Sequence, residues 1–202
     1  MDYERAADAY EAARGIALSD AAVYEAECEM WVQRMEVELN SGKSPKASFE
    51  RALGACEGAL TIHPESGAGH GRKAWALWMY GNYLGGSGQD PSDILKKAIQ
   101  AAEVAARLEP RNANHLDTLG NAYADIGSYE MSRGNNPLES FRLSAEALEK
   151  AIELHPNFAW AYNDLGSVYR SIGEYEASRG IDPAKAFSKS IVYRKQAVEL
   201  DP

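Results

Sequence analysis

The sequence is poor in the residues that most often carry chemistry. Its 202 residues hold only two cysteines and four histidines. Cys28 and Cys56 lack zinc or redox spacing. No Gly-rich phosphate loop, His-Arg-Asp or Asp-Phe-Gly element is present, and serine, cysteine and histidine form no recognisable nucleophile motif, so neither catalysis nor a cofactor is expected. No stretch approaches the roughly 18 uninterrupted apolar residues of a membrane span, and Met1-Asp2-Tyr3-Glu4-Arg5 lacks a basic leader with an apolar run. Positive charge is also scarce: 21 Lys and Arg stand against 30 Asp and Glu, a formal charge of −9. An acidic surface suits neither a phosphate backbone nor an anionic leaflet, so no nucleic acid and no membrane is expected as partner. These absences point to a cytoplasmic chain, with Cys28 and Cys56 as buried thiols in a reducing compartment.

What the sequence does contain is one unit, repeated. A residue-proline pair closes a helical run at His63-Pro64, Glu109-Pro110, His155-Pro156 and Asp201-Pro202, each 46 residues after the last. A second series keeps that period: Gly42-Lys43-Ser44-Pro45, Gly88-Gln89-Asp90-Pro91, Gly134-Asn135-Asn136-Pro137 and Gly180-Ile181-Asp182-Pro183. Trp31, Leu77, Tyr123 and Tyr169 share one register position; Phe49, Leu95, Phe141 and Phe187 share another. The units are 19–64, 65–110, 111–156 and 157–202, and residues 1–18 fit the second half of a truncated unit, since Tyr3, Ala13 and Ile16 fall 46 before Phe49, Ala59 and Ile62.

Each unit reads as two helices. Glycine supplies the left-handed residue that ends the first, Ser, Asp or Asn caps the second, and proline takes its first position, where a missing N–H costs nothing. A three-residue link between them predicts an antiparallel hairpin. In the fourth unit Tyr162, Leu165, Gly166, Tyr169, Ile172 and Gly173 recur on one helical face, answered by Phe187, Ile191 and Val198 on the second helix. No run alternates with period two, so the fold is expected to be all-α.

The third and fourth units carry Leu119-Gly120-x-x-Tyr123-x-x-x-Gly127-x-Tyr129 with Ala151 and Pro156, and Leu165-Gly166-x-x-Tyr169-x-x-x-Gly173-x-Tyr175 with Ala197 and Pro202. This pattern resembles the tetratricopeptide repeat (TPR). The resemblance implies an α-solenoid, a right-handed superhelix of antiparallel helix pairs, here with lengthened helices, since 46 residues exceed the usual period of about 34. The first two units depart from it: Cys28 and Ala74 replace the close-packing glycine, Met35 the next glycine, and Leu77 the tyrosine. The long unit with Tyr-Glu-x-Ser-Arg-Gly-x-Asp-Pro also resembles TPR arrays that follow the catalytic domain of large bacterial serine/threonine kinases. Because the chain starts mid-unit and stops at a unit boundary, it reads as a piece of a larger array.

Among candidate chemical groups, His63 and His155 read as helix C-terminal residues and His70 and His115 as isolated. Glu25, Glu27, Glu29, Glu36 and Glu38 could hold a metal but read as a solvated face. The informative residues lie on the first helix of each unit, on the face that changes between units. They are Glu25 and Glu29; Trp75, Trp78 and Met79; Asp117, Asn121 and Asp125; and Trp160, Asn163 and Arg170. The TPR resemblance implies that these positions line a concave groove for a peptide or partner helix. Exposed Trp and Met beside carboxylates predict a protein or peptide partner with apolar and basic residues. Packing within the longer repeats is the competing explanation for the tryptophans. The family's clamp for a peptide C-terminal carboxylate uses Lys and Asn, and only Asn121 and Asn163 are here. Structural spacing or self-association through Ile191, Val198 and Leu200 of the last helix is the alternative function.

Overall fold

The computed structural model describes residues 3–16 and 20–201. Met1, Asp2, residues 17–19 and Pro202, which include the chain start, the junction of the half-unit with the first unit and the last proline of its series, lie outside the described residues. Nine helices and no strand occur among the described residues. They are α1 (Tyr3–Ile16), α2 (Ala21–Asn40), α3 (Lys46–Ile62), α4 (Gly67–Gly86), α5 (Ser92–Leu108), α6 (Ala113–Ser132), α7 (Leu138–Leu154), α8 (Ala159–Ser178) and α9 (Ala184–Leu200). The even-numbered helices are all 20 residues long and α3, α5, α7 and α9 all 17.

The turns within each pair show why the period is kept so strictly. Gly42, Gly88, Gly134 and Gly180 have φ of 69°, 75°, 78° and 72°, a conformation that a Cβ would strain. The residue after each glycine donates its N–H back to the preceding helix: Lys43 to Glu38, Gln89 to Leu84, Asn135 to Glu130 and Ile181 to Glu176, at 2.8–2.9 Å. This is the Schellman closure, which satisfies carbonyls the helix end would otherwise orphan. The link is longer than three residues, running over 41–45, 87–91, 133–137 and 179–183. The carboxylate or amide oxygens of Asp90, Asn136 and Asp182 accept the N–H of residues 92, 138 and 184. The proline carbonyls accept the first helical bonds, from Phe49, Leu95, Phe141 and Phe187.

Consecutive even-numbered helices touch one another, α2 with α4, α4 with α6 and α6 with α8, whereas no two of α3, α5, α7 and α9 meet. The array is therefore a solenoid that curves toward the even-numbered helices, which make its concave layer. Within each pair the two helices cross where volumes complement each other. A Cβ on Gly120 would lie 2.6 Å from Leu148 Cγ, and one on Gly166 would lie 2.6 Å from Arg194 Cγ. The register-equivalent pair in the second unit is Ala74 with Ala102, both without exposed surface.

In the first unit that crossing is a disulfide, Cys28–Cys56, with the Cα atoms 5.2 Å apart. This corrects the free-thiol reading and removes the argument for a reducing compartment that rested on it. Neither cysteine belongs to a recognisable local spacing motif, because their proximity arises from hairpin register across 28 residues of sequence. Two turns further along the first helix of the same pairs, glycine recurs in three units, facing Leu95 from Gly81, Phe141 from Gly127 and Phe187 from Gly173. In the first unit Met35 and Phe49 fill the same region of the core.

Candidate functional site

The concave layer carries the variable residues on its exposed side, but the structure sorts them into three groups. Met79 is only 5% exposed and belongs to the core, so it does not line the groove as expected: its position turns inward between α4 and its neighbours. Asp117 is also buried, at 7% exposure, rather than presented on the surface. Trp160, by contrast, is 68% exposed.

Trp75 and Trp78 are partly buried and pack against the core, with ring centroids 4.6 Å apart. Each indole thus packs on the repeat, as the packing explanation expects, without being fully buried. The Trp75 indole N–H donates to Glu36 Oε1 at 3.3 Å and that of Trp78 to Asp125 Oδ2 at 2.9 Å. A buried indole N–H needs such an acceptor, and these bonds fix both rings.

The acidic residues divide in the same way. Glu25 and Glu29 are both approached by Arg72 of α4, at 3.9 and 2.9 Å, so their charge is already answered within the chain. Nor do the glutamates of α2 form one solvated face. Glu27 is buried and pairs with Arg14 at 3.2 Å, and Glu38 pairs with Arg34 at 3.0 Å. Arg170 is exposed and pairs with Glu174 at 2.8 Å.

Among the described residues, no lysine or arginine pairs with Asp117, Asp125 or Asp164. The Asn121 amide donates to Asp117 Oδ2 at 3.3 Å and to Asp164 Oδ2 at 2.9 Å, bridging α6 to α8. Asn82 of α4 joins Trp78 in donating to Asp125 Oδ2, at 3.0 Å. Asn163, on the exposed side, donates to Asp164 Oδ1 at 3.3 Å. Burial pushes the Asp117 carboxyl up to about 7, with the Asp164 charge adding to the effect. Burial likewise lifts Asp125 to about 6, opposed by its bonds from Asn82 and Trp78 and reinforced by Asp164. Asp164 is raised by burial against the donors Asn121 and Asn163. Poor hydration and a neighbouring carboxylate favour keeping a proton, and the donated hydrogen bonds oppose this only in part.

Asp164 and Asn82 were not singled out from the sequence. Asp164 sits one residue beyond the groove position of Asn163, and only the α6–α8 packing brings it beside Asp117. His115 is not isolated either. It is buried with Nε2 2.8 Å from Glu109 Oε2, in space left by Gly71, whose added Cβ would lie 2.4 Å from the ring. His63 and His155 do end α3 and α7, and His70 Nε2 lies 2.9 Å from the Pro64 carbonyl. Among the described residues no group of three or more His, Cys, Asp or Glu could hold a metal ion, and no helix is long and apolar enough to cross a membrane.

A tetratricopeptide-repeat family model matches residues 147–180, the last turns of α7 and all of α8. No curated protein matches the chain. Among solved structures, a crystal structure of MamA aligns with a TM-score of 0.57 and 19% identity, over 99% of this chain and 89% of that one. A second MamA crystal structure aligns with a TM-score of 0.56 at 18% identity, over 99% and 83%. MamA residues 41 to the end from Desulfovibrio magneticus RS-1 give 0.51 at 17% identity, over 96% and 97%. At such identities the likeness is one of fold. The chain is an all-α solenoid of TPR-like architecture, and its residues 147–180 match a tetratricopeptide repeat.

Proposed function

We propose that this chain is a non-catalytic interaction module, with residues 19–64, 65–110, 111–156 and 157–202 as its repeat units. Its concave face binds a peptide segment or helix of another protein, one with apolar and basic side chains. The observation that carries this reading is Trp160, a large apolar ring left 68% exposed on the concave layer. An exposed tryptophan beside carboxylates on rigid helices supplies an anchor at low ordering cost. Of the carboxylates expected to meet a basic residue, the partly exposed Asp125 fits this role better than the buried Asp117 or than Glu25 and Glu29, which Arg72 already answers. The likeness of the long unit to arrays in bacterial serine/threonine kinases makes such a kinase the candidate parent, in which the module would recruit substrates or sense a partner.

The test is selection from a random-peptide display library on the chain and on Trp160→Ala. We expect an enriched apolar-basic motif that binds the variant about tenfold more weakly, as loss of one aromatic anchor predicts. No enriched motif, or one the variant retains fully, refutes the groove reading. That result would favour self-assembly, the reading supported by Ile191 and Val198 of α9, which are 68% and 64% exposed.

A further inference from the structure

Between α4 and α6, two helices of the concave layer, lies a notch that the repeat does not fill. It measures about 220 Å³ and is walled by Gly81, Gly85 and Gly86 of α4, by Pro91, and by Asp125 and Tyr129 of α6. Register explains the opening. At the preceding interface, α2 with α4, the positions of Gly85 and Asp125 are Leu39 and Met79, and both of those side chains pack in the core. At the following interface, α6 with α8, they are Met131 and Ser171. Only between α4 and α6 does a missing side chain stand opposite a carboxylate. Nothing in the backbone demands Gly85 or Gly86: neither has a positive φ, a Cβ on Gly85 would lie 3.7 Å from Pro91 Cγ, an ordinary contact, and one on Gly86 would meet nothing within 4 Å. Glycine weakens a helix relative to alanine, so this pair holds space open without relieving any contact in the chain.

The notch is lined to receive a hydrogen-bond donor. Both bonds to Asp125 end on Oδ2, from Trp78 and Asn82, and among the described residues Oδ1 accepts none. No lysine or arginine lines the space, and the Tyr129 hydroxyl is bonded to Asp90. Gly85 and Gly86 belong to the last turn of α4, whose carbonyl end carries partial negative charge.

We propose that this notch takes one lysine side chain of a protein partner, its ammonium at Asp125 and its methylene stem along Gly81, Gly85 and Pro91. This rests on the groove reading for the partner's identity as a protein, while the notch stands on its own geometry. Its volume is below the roughly 300 Å³ at which pockets for whole small molecules begin, so it suits a single side chain. One open carboxylate oxygen answers a compact ammonium, whereas a guanidinium presents a planar fork made for two acceptors. Narrow apolar walls ahead of a single charge match a side chain that buries its stem and is charged only at its tip.

The experiment follows the backbone amide resonances of the full chain by NMR during titration with N-acetyl-lysine amide, and separately with N-acetyl-norleucine amide, which has the same stem without the ammonium. It is run at about pH 8, where Asp125, lifted to about 6 by burial, is ionised. The expected result is saturable shifts at Gly81, Gly85 and Gly86 with the lysine compound and a response at least about tenfold weaker with norleucine. Asp125→Asn keeps the shape and an oxygen for the Trp78 indole, and should bind lysine about tenfold more weakly, the loss expected when a charge-assisted bond becomes a neutral one. Gly85→Leu, which installs the residue of the first repeat, should close the notch and abolish binding with helicity retained. Unmoved glycine resonances, equal response to norleucine, or undiminished binding by Asp125→Asn would overturn the lysine site. Failure of peptide selection alongside saturable, Asp125-dependent lysine binding would sink the groove reading and leave this site standing. Selected peptides whose affinity survives exchange of lysine for norleucine would do the reverse.

Discussion

The first and third repeats build one helix crossing in opposite ways. In the third, Gly120 removes its side chain so that Leu148 can enter; in the first, Cys28 and Cys56 meet halfway and are joined covalently. The first and third repeats thus place the same number of heavy side-chain atoms between their helices, four in each, divided differently between the two partners, as close packing allows. The second repeat, with Ala74 against Ala102, divides the crossing evenly between the partners as the first does, with the fewest such atoms of the three.

The largest effect should come from breaking that sum in the third repeat. Leu148→Ala leaves a void opposite a glycine and should cost about 2–5 kcal/mol. Gly120→Ala pushes a methyl to 2.6 Å from Leu148 Cγ and 3.2 Å from the Ser144 carbonyl oxygen. It should cost about 1–3 kcal/mol despite the better helix propensity of alanine. The double variant recreates the Ala74–Ala102 pair, so urea unfolding should show it more stable than the sum of the two losses by at least about 1 kcal/mol. Strict additivity would mean that the two positions do not complement each other in volume.

The first repeat provides the next test, because its crossing is covalent. Cys28→Ala with Cys56→Ala again imitates the second repeat, and the helices should remain formed. A cross-link spanning 28 residues of sequence restricts mainly the unfolded chain. Its loss should therefore cost about 3 kcal/mol, read as a lower urea midpoint for the variant and for the reduced chain alike. An unchanged midpoint on reduction would show that the disulfide contributes nothing to the stability of this hairpin.

The hairpins and their period were legible because they depend on local chemistry: left-handed Gly42, Gly88, Gly134 and Gly180, the prolines that follow, and apolar stripes at helical spacing. The crossings were half legible. Gly120 and Gly166 signalled close approach, but nothing near Cys28 pointed to Cys56, since that contact exists only once α2 and α3 are paired. For the proposed concave face, helical spacing singled out Trp160, Asp117, Asn121 and Asp125, but it did not show that Asp117 is buried. Asp164, Asn82 and the pairing of Arg72 with Glu25 and Glu29 were not legible, because they depend on how α2, α4, α6 and α8 rotate against one another. The burial of Met79 is illegible for the same reason. Helical spacing gives an angle around one axis, whereas burial depends on the neighbouring axis as well.

Position 117 extends the comparison to charge, since the register-equivalent residues are Glu25, Gly71 and Asn163. Only here does a buried carboxylate stand without a cation. Its folded-state value of about 7 lies above that of an unfolded aspartate, so between about pH 4 and 7 the folded chain holds more protons than the unfolded one. The stability due to this proton is fully present below the unfolded value and is lost as pH rises toward 7. Asp117→Asn, which installs the residue found in the fourth repeat, removes the proton dependence. Relative to wild type it should raise stability by about 2 kcal/mol at pH 8 and by little at pH 4, measured as urea midpoints across that range. The direction separates two roles for Asp117: an acid that the packing requires would be missed when replaced, whereas an acid that burial penalises leaves the protein more stable by its removal. Equal destabilisation at both pH values would place Asp117 with the packing residues of the repeat.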